Sequence, residues 1–201
     1  MIAPLLAIRP IAQAAPPDLT GVAALAFTSR NGVEAFAALS DDRSRPVFTV
    51  GDATAEAARA AGFVRVRSAA GAIGDLVRLL SAEAPAGRVV LAPGALEPAG
   101  DLPALLSGRV AVRALPVYEA VPTGAAAPAA FDAVLVHSPR GGRALGGLLT
   151  AGGPFAGQVA VAISEAAAAA LTAIAGLDVR VAAHPDEAAM FEALGKPAPR
   201  V

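Results

Sequence analysis

The stretch LAFTSRNGVEAF, residues 25–36, joins an apolar run directly to a helical pattern through a cluster of hydrogen-bonding side chains. The apolar run predicts a buried strand, and the residues from Gly32 onward predict a helix. Direct succession of strand and helix is typical of a parallel sheet, because each crossover helix covers one face of that sheet. This stretch therefore predicts an α/β fold with polar side chains where a strand ends.

A second stretch, LVHSPRGGRALGGL at residues 135–148, repeats this order of apolar run, serine and helical pattern. Downstream of the two stretches, TVGDATAEAARAAG at 49–62 aligns with AISEAAAAALTAIAG at 162–176 after one insertion. The order of strand, serine, helix, strand, small polar turn and helix is therefore used twice. The repeat predicts two α/β lobes, and the general likeness among alanine-rich α/β sequences is the alternative explanation.

Strands and helices alternate along almost the whole chain. The predicted strands cover residues 23–28, 47–50, 64–67, 88–92, 109–115, 133–137, 159–163 and 178–182. The predicted helices cover residues 32–39, 53–61, 73–84, 101–106, 140–149, 165–174 and 186–194. Two proline-bounded stretches, 3–11 and 115–123, lack a following helix, and proline disfavours helix in the residue before it. We therefore expect both to be extended connectors that bracket residues 12–114.

Composition and charge exclude several classes of function. Sixteen basic and 17 acidic side chains give a net charge of −1, which does not favour nucleic-acid binding. The chain has no cysteine and two histidines, so disulfides, thiolate metal sites and cysteine nucleophiles are excluded; a Mg²⁺ site made of carboxylates alone stays open, although no close acidic pair lies at a predicted strand end. Neither the dinucleotide nor the P-loop signature is present. The N-terminal apolar run is too short for a signal peptide, and the most apolar segment, 159–175, falls short of a membrane span, so we expect a cytoplasmic protein.

The turns that follow the predicted strands are the candidate binding site. Ligands of an open parallel sheet bind outside the carboxyl ends of its strands, where helix N-termini suit a carboxylate or a phosphate. Ser29 and Asn31 occupy the first such turn, and Ser138 occupies its counterpart. Each can either cap its helix or contact a ligand.

The turn VGDATA, residues 50–55, offers a further set of polar groups. Gly51 permits a tight turn, Asp52 or Thr54 can cap the following helix, and Thr54 is the better ligand candidate of the two. Tyr118 is the single tyrosine and lies in the second connector. It is either a packing residue or a residue that reaches a cleft between two lobes.

A nucleophilic triad is not predicted. His137 points to the opposite face from Ser138 if the strand continues, and neither Ser29 nor Ser138 lies in a nucleophile elbow. His137 is interpreted as a strand-end residue and His184, next to a proline, as a surface residue.

The chain resembles the uroporphyrinogen-III synthase family, the cofactor-free lyases of tetrapyrrole biosynthesis. The matching pieces follow one another in the family's order: PLLAIRPI, ALAFTSRNGVEAF, VFTVGDATAEAARAAGF, GDLVRLL, VYEAVP, FDAVLVHSPRGGRAL and the closing P-x-x-A…L of residues 185–194. The resemblance implies two flavodoxin-like or Rossmann-like lobes with parallel sheets, joined by a two-stranded linker, with the active site in the cleft between them. On this basis we expect a linker strand at 1–11, a continuous lobe at 12–114, a return linker strand at 115–123 and the remainder of a discontinuous lobe at 124–201.

The resemblance also implies a reaction and its residues. Hydroxymethylbilane loses its hydroxyl as water, ring D is inverted, and the macrocycle closes to uroporphyrinogen III without a cofactor or a metal. Tyr118 matches the family tyrosine that assists departure of the hydroxyl. The positions that match substrate-binding residues of the cleft are Thr28, Ser29, Asn31, Gly51, Thr54, Ser138 and Ser164. The implied partner is the tetrapyrrole substrate, handed over by the preceding deaminase to a monomer that binds neither nucleic acid nor membrane.

Three departures from the family pattern keep other interpretations open. The family begins with a strand and a helix ahead of the first connector, so we expect the discontinuous lobe to lack this first βα element of roughly 30 residues. The second small turn, usually Gly-x-x-Thr-Ala, reads SEAAA here, which puts Ser164 in the glycine position beside the anionic Glu165. Ala120 stands where the family often has threonine. A non-catalytic, degenerate homologue that binds anionic ligands or acts in regulation is the alternative, and an unrelated flavodoxin-like or periplasmic-binding-like module is another.

Overall fold

The computed structural model describes residues 4–85, 87–125, 131–150 and 155–195. The chain forms two compact units: unit 1 consists of Met1–Ala7 and Pro122–Val201, and unit 2 consists of Ile8–Val121. Each unit contains a sheet in which most neighbouring strands are parallel and are connected by helices. The predicted α/β class with parallel sheets is confirmed.

The larger sheet has six strands in the order β1-β6-β5-β2-β3-β4. The strands are β1 (Leu6–Pro10), β2 (Val22–Phe27), β3 (Val47–Thr49), β4 (Val66–Ser68), β5 (Val89–Ala95) and β6 (Ala111–Pro122). Strand β2 lies parallel to both β3 and β5, with Leu25 opposite Val47 and Leu91. Its sequence VAALAF is apolar at every position because both faces of a central parallel strand are covered.

Side chains of β2 alternate between two cores. Leu25 and Phe27 point toward α1 (Arg30–Leu39) and α2 (Asp52–Ala60), and the rings of Phe27 and Phe36 meet edge to face with centroids 5.9 Å apart. Ala24 and Ala26 point to the other face, where α3 (Ile73–Glu83) and α4 (Leu102–Leu105) pack. Large residues on one face and alanines on the other thus set how closely each pair of helices approaches the sheet.

Strand β6 joins two predicted segments into one. The predicted strand 109–115 and the predicted connector 115–123 form a single strand of 12 residues, whose first part pairs in parallel with β5. Its second part lies beside β1, where Ile11 N–H donates to Val117 O and Thr123 N–H donates to Leu5 O, each over 3.0 Å. Residue numbers rise along β1 where they fall along β6, so these two strands are antiparallel. Both boundaries between the units lie in these two strands.

Unit 1 carries a three-stranded parallel sheet in the order β7-β8-β9. Its elements are β7 (Ala133–Val136), α5 (Pro139–Leu149), β8 (Val159–Ala162), α6 (Glu165–Ala168), β9 (Asp178–Val181) and α7 (Glu187–Leu194). The helix predicted at 165–174 is wrong beyond its first turn, since α6 ends at Ala168 and turns follow. Leu171 N–H donates to Ala168 O rather than to Ala167 O, because the Ala167 carbonyl packs against Gly142 of α5.

Candidate active site

Ser29 caps the N-terminus of α1. Its Oγ accepts a hydrogen bond from Gly32 N–H over 3.0 Å, and its backbone is extended, as an N-cap requires. The side chain is half-buried at the carboxyl end of the central strand β2. The capping role considered from the sequence is therefore real, and it leaves the Ser29 hydroxyl proton available for another partner.

That second partner is Tyr118 of β6. The Tyr118 Oη lies 2.9 Å from Ser29 Oγ, within hydrogen-bond distance. The tyrosine is buried, with 8% of its surface exposed. Its main-chain carbonyl accepts a hydrogen bond of 2.8 Å from Leu96 N–H, which fixes the strand at this point. Burial and strand pairing thus fix the position of Tyr118.

A close approach of α1 to β5 brings the two hydroxyls together. Strand β5 lies between β2 and β6, so a side chain at the end of β2 reaches β6 only across the end of β5. A Cβ placed on Gly32 would lie 2.9 Å from the Pro93 carbonyl oxygen, which is closer than real Cβ contacts. Glycine at position 32 therefore lets the first turn of α1 rest on the end of β5.

An open pocket of about 380 Å³ lies next to Tyr118 within unit 2. Asn31 lines this pocket, and so does the exposed Glu34 one turn further along α1. The remaining lining residues are apolar: Ile8, Pro10, Ile11, Ala35, Ala38, Leu39 and Val117. The structure therefore groups Ser29, Asn31 and Tyr118, three of the residues that the sequence singled out.

Thr28 faces a different space. It is exposed and lines a smaller pocket of about 50 Å³, together with Pro93 and Gly94 near the end of β5 and Pro116 in the middle of β6. Thr28 is adjacent to Ser29 in sequence, but it does not line the pocket beside Tyr118.

The turn before α2 differs from its prediction in two respects. No side chain caps α2, so the expectation that Asp52 or Thr54 does so is wrong. Gly51 has an extended backbone with a φ of −155°, and a Cβ there would come no nearer than 3.7 Å to another residue, so the turn does not require glycine. The Thr54 side chain is buried inside unit 2, with 6% of its surface exposed.

Unit 1 repeats the serine cap twice. Ser138 Oγ accepts from Gly141 N–H over 3.0 Å at the start of α5, with the same extended backbone as Ser29. Ser164 Oγ accepts from Ala167 N–H over 3.3 Å, but the helix that it caps has only four residues. The strand–serine–helix repeat predicted from the sequence is therefore present in both units, and it is shorter at Ser164.

The four helices that follow the candidate binding turns, α1, α2, α5 and α6, differ in the charge of their first residues. Arg30 begins α1 and Arg140 is the second residue of α5, and neither helix has an acidic residue in its first turn. Asp52 and Glu165 begin α2 and α6, and both are exposed. An acidic side chain offsets the partial positive charge of a helix N-terminus. The turns at Ser29 and Ser138 are therefore the more favourable ones for an anionic ligand.

His137 and His184 are exposed, as the sequence predicted for His184. Within residues 4–85, 87–125, 131–150 and 155–195, no three His, Asp or Glu side chains lie close enough together to hold a metal ion. In the same described ranges, no helix has both the length and the apolar character needed to cross a membrane.

Comparisons with known proteins agree with this architecture. The model of the family described as "Uroporphyrinogen-III synthase HemD" matches residues 1–192. The uroporphyrinogen-III synthetase structure from Helicobacter pylori is 19% identical, with a TM-score of 0.61 over 94% of this chain and 88% of that one. A mutant uroporphyrinogen III synthase from Thermus thermophilus is 18% identical, with a TM-score of 0.55 over 98% of this chain and 81% of that one. At these identities the two structures show the shared fold. No curated protein sequence matches the chain.

The family match covers nearly the whole chain, including both connectors, the serine caps and Tyr118. The resemblance noted in the sequence is thereby confirmed. The protein belongs to the uroporphyrinogen-III synthase family, a family of lyases in tetrapyrrole biosynthesis.

Proposed function

We propose that Tyr118 is the catalytic acid with which this chain carries out the family's reaction, the conversion of hydroxymethylbilane to uroporphyrinogen III. The observation that carries this proposal is the position of the Tyr118 hydroxyl, 2.9 Å from Ser29 Oγ at the N-terminus of α1. A buried phenol held beside an open pocket is suited to give a proton to a bound group.

The proposed first step is an acid-assisted dehydration. The bond between the hydroxymethyl carbon and its oxygen breaks, assisted by the nitrogen lone pair of the pyrrole ring that carries this group. Tyr118 supplies the proton that makes the leaving group water. The carbocation that remains on the bilane is attacked by the substituted carbon of ring D, which gives a spirocyclic pyrrolenine. The bond between that carbon and the methylene bridge to ring C then breaks and leaves its electron pair on ring D. The methylene carbon bonds instead to the free α-carbon of ring D, and the proton that this carbon loses restores Tyr118. The net change is the loss of one water.

Most of the remaining work is positioning. A flexible bilane closes without inversion unless ring D is held so that its substituted carbon is presented, and correct placement alone can supply a large rate factor. The substrate carries several carboxylate arms, which serine hydroxyls and helix N-terminal N–H groups can bind. We propose that Asn31 and Ser138 contact these arms or the groups beside them, since α1 and α5 have arginine and no acid in the first turn.

The other predicted binding residues have smaller proposed roles. Thr28 is exposed next to Ser29 and can contact an arm from the neighbouring pocket. Gly51 and Thr54 can contribute backbone N–H groups of the α2 turn, because the Thr54 side chain is buried. Ser164 is the weakest member of the set, since the exposed Glu165 beside it repels carboxylates.

The partners follow from the substrate's reactivity. The family implies a tetrapyrrole substrate. We propose that a monomer receives hydroxymethylbilane from the preceding deaminase in the cytoplasm, because a reactive bilane is lost to uncatalysed closure during a long search. Sedimentation of the protein alone and with the deaminase tests the monomer and the handover.

The proposed reaction is tested by a coupled assay with freshly generated hydroxymethylbilane, followed by oxidation and separation of the two uroporphyrin isomers. We expect isomer III in the presence of pure protein, whereas uncatalysed closure gives isomer I. Isomer I alone with folded protein would contradict the proposal. It would favour a non-catalytic homologue that binds anionic ligands, which a binding titration with uroporphyrin would then detect.

A further inference from the structure

We propose that Ser29 is a positioning residue that donates its hydroxyl proton to Tyr118 and thereby directs the Tyr118 proton toward the substrate. The inference rests on the proposed role of Tyr118 as the acid, and it assigns Ser29 a function other than binding a substrate arm. The hydrogen-bond order that it requires is Gly32 N–H to Ser29 Oγ, and Ser29 O–H to Tyr118 Oη.

The hydrogen-bond capacity of a serine supports this order. A hydroxyl has one proton and two lone pairs. Gly32 N–H occupies one lone pair of Ser29 Oγ over 3.0 Å, and the contact to Tyr118 Oη over 2.9 Å uses either the proton or the second lone pair. A hydroxyl that accepts a hydrogen bond becomes a stronger donor, because aligned hydrogen bonds polarise one another. The bond from Gly32 therefore favours donation by Ser29.

The field of α1 favours the same direction. This helix has ten residues, begins with Arg30 and has no acidic residue in its first turn. Its N-terminus carries a partial positive charge, which favours electron density on the nearby phenolic oxygen. Donation by Ser29 to Tyr118 places the positive end of the hydroxyl dipole against that oxygen.

This direction matters at the moment of proton transfer. When the carbon–oxygen bond of the substrate breaks, its electron pair leaves with the water, and Tyr118 Oη keeps the pair of its own broken O–H bond. The Ser29 O–H dipole then points at the developing phenolate and stabilises it without rearrangement, and the Gly32 N–H that donates to Ser29 Oγ strengthens this dipole. The reverse order, with Tyr118 donating to Ser29, would hold the phenolic proton away from the substrate.

The surroundings leave the two hydroxyls little freedom. Gly32 rests against the Pro93 carbonyl, so the first turn of α1 is held on β5. The Tyr118 ring is 8% exposed, and both residues belong to unit 2. Ser138 provides an internal comparison, since it makes the same cap to Gly141 over 3.0 Å in unit 1.

The direction of the hydrogen bond is measurable because the chain has one tyrosine and no tryptophan. The tyrosine Fermi doublet of the Raman spectrum depends on whether the phenol accepts or donates a hydrogen bond, and its intensity ratio is high for an acceptor and low for a donor. We expect an acceptor-type ratio in the wild-type protein. A donor-type ratio in the wild type overturns the proposal without any variant.

Variants then identify the donor. Ser29→Gly removes the hydroxyl, and glycine is a tolerated N-cap residue, so the fold is expected to survive. We expect the intensity ratio of the tyrosine doublet to fall in Ser29→Gly and to stay at the wild-type value in Ser29→Thr. Asp186→Gly is the matched control, because Asp186 caps α7 by accepting from Ala189 N–H over 2.8 Å, and it should also keep the wild-type ratio. An unchanged or higher ratio in Ser29→Gly overturns the proposal, and so does a folded Ser29→Thr variant that loses the acceptor signal.

Kinetics separate positioning from substrate binding. We expect Ser29→Gly to lower kcat for isomer III roughly 10- to 100-fold with KM within about twofold, and Ser29→Thr to recover most of kcat. A raised KM with unchanged kcat would mean that Ser29 binds a substrate arm and would overturn the proposal. If the wild type forms no isomer III, the proposed function fails, while the Raman experiment still decides the direction of the bond because it needs no substrate.

Discussion

The hydroxyls of Ser29 and Tyr118 lie 2.9 Å apart although 89 positions separate the two residues in sequence. They meet because β5 lies between β2 and β6 and because Gly32 lets α1 rest on the end of β5. The proposed acid and its hydrogen-bond partner are therefore both built by the packing of unit 2.

Two glycines of α5 are expected to respond to the same substitution with opposite signs. A Cβ on Gly142 would lie 2.1 Å from the Ala167 carbonyl oxygen, whereas a Cβ on Gly147 would meet no atom within 4 Å. We expect Gly142→Ala to lower the free energy of unfolding by about 1–3 kcal/mol. Gly147→Ala should raise it by roughly 0.5–1 kcal/mol, because alanine favours helix over glycine. Urea denaturation of both variants measures the difference, and changes of the same sign would contradict this account of the α5–α6 contact.

Arg43 is expected to stabilise unit 2 through a set of contacts that lysine cannot reproduce. Its guanidinium donates to the carbonyls of Ala37 and Ala61 over 3.0 and 2.7 Å and lies 4.8 Å from the centre of the Phe63 ring. These carbonyls belong to the ends of α1 and α2, which the rigid fork of arginine joins. We expect Arg43→Lys to lower the free energy of unfolding by about 1–3 kcal/mol.

The control for Arg43 is Arg78→Lys, since the Arg78 side chain is 77% exposed and forms an ion pair with Asp75 at the surface. We expect its effect to stay within about 0.5 kcal/mol. Equal effects of the two substitutions in urea denaturation would show that the contacts of Arg43 with the ends of α1 and α2 add nothing to the free energy of unfolding.

Ser138 is expected to affect both stability and substrate affinity. Removal of its hydroxyl in Ser138→Ala deletes the cap of α5 and should cost about 1 kcal/mol. If Ser138 also binds a substrate carboxylate, KM for hydroxymethylbilane should rise roughly tenfold. Asp186→Ala deletes the cap of α7 at a similar cost in stability and should leave KM unchanged. A KM for Ser138→Ala equal to that of Asp186→Ala would remove Ser138 from the binding site.

Asp42 is expected to contribute a pH-dependent part of the stability. The Ser44 hydroxyl and backbone N–H both donate to its carboxylate, over 2.7 and 2.8 Å, and hold the pKa of Asp42 below its ordinary value. The contribution is therefore fully present above the unfolded pKa of about 4 and is lost as the pH falls below it. We expect Asp42→Asn to be less stable than the wild type at neutral pH, with a difference that shrinks on acidification. A difference that does not change with pH in urea denaturation would contradict this origin.

Local patterns in the sequence predicted most elements and their caps. Serine after an apolar run marked the N-caps at Ser29 and Ser138, since a cap depends on residues three positions apart. Glycine directly after a helical pattern is typical of a left-handed helix end, and Gly62 after α2 has a φ of +95°. The boundaries assigned to the linker strands and lobes stay a prediction.

Features that depend on contacts between residues far apart in sequence could not be predicted from local sequence patterns. The proline-bounded stretch that contains Tyr118 predicted a connector, but pairing with β5 makes it part of β6. The alanines after Glu165 predicted a full helix, but packing of the Ala167 carbonyl on Gly142 ends it early. The cluster of polar residues at Ser29 indicated a site, while its hydrogen bond to Tyr118 depends on the order of the strands in the sheet.

The most direct test of the central claim is the fraction of isomer III formed from hydroxymethylbilane by the wild type and by Tyr118→Phe under identical conditions. Phenylalanine keeps the buried ring of Tyr118 and removes only the hydroxyl, so the thermal midpoint should change little. We expect isomer III from the wild type and formation of isomer III at least about 100-fold slower with the variant, so that uncatalysed closure gives mainly isomer I. Isomer III formed by Tyr118→Phe at the wild-type rate would contradict the role assigned to Tyr118.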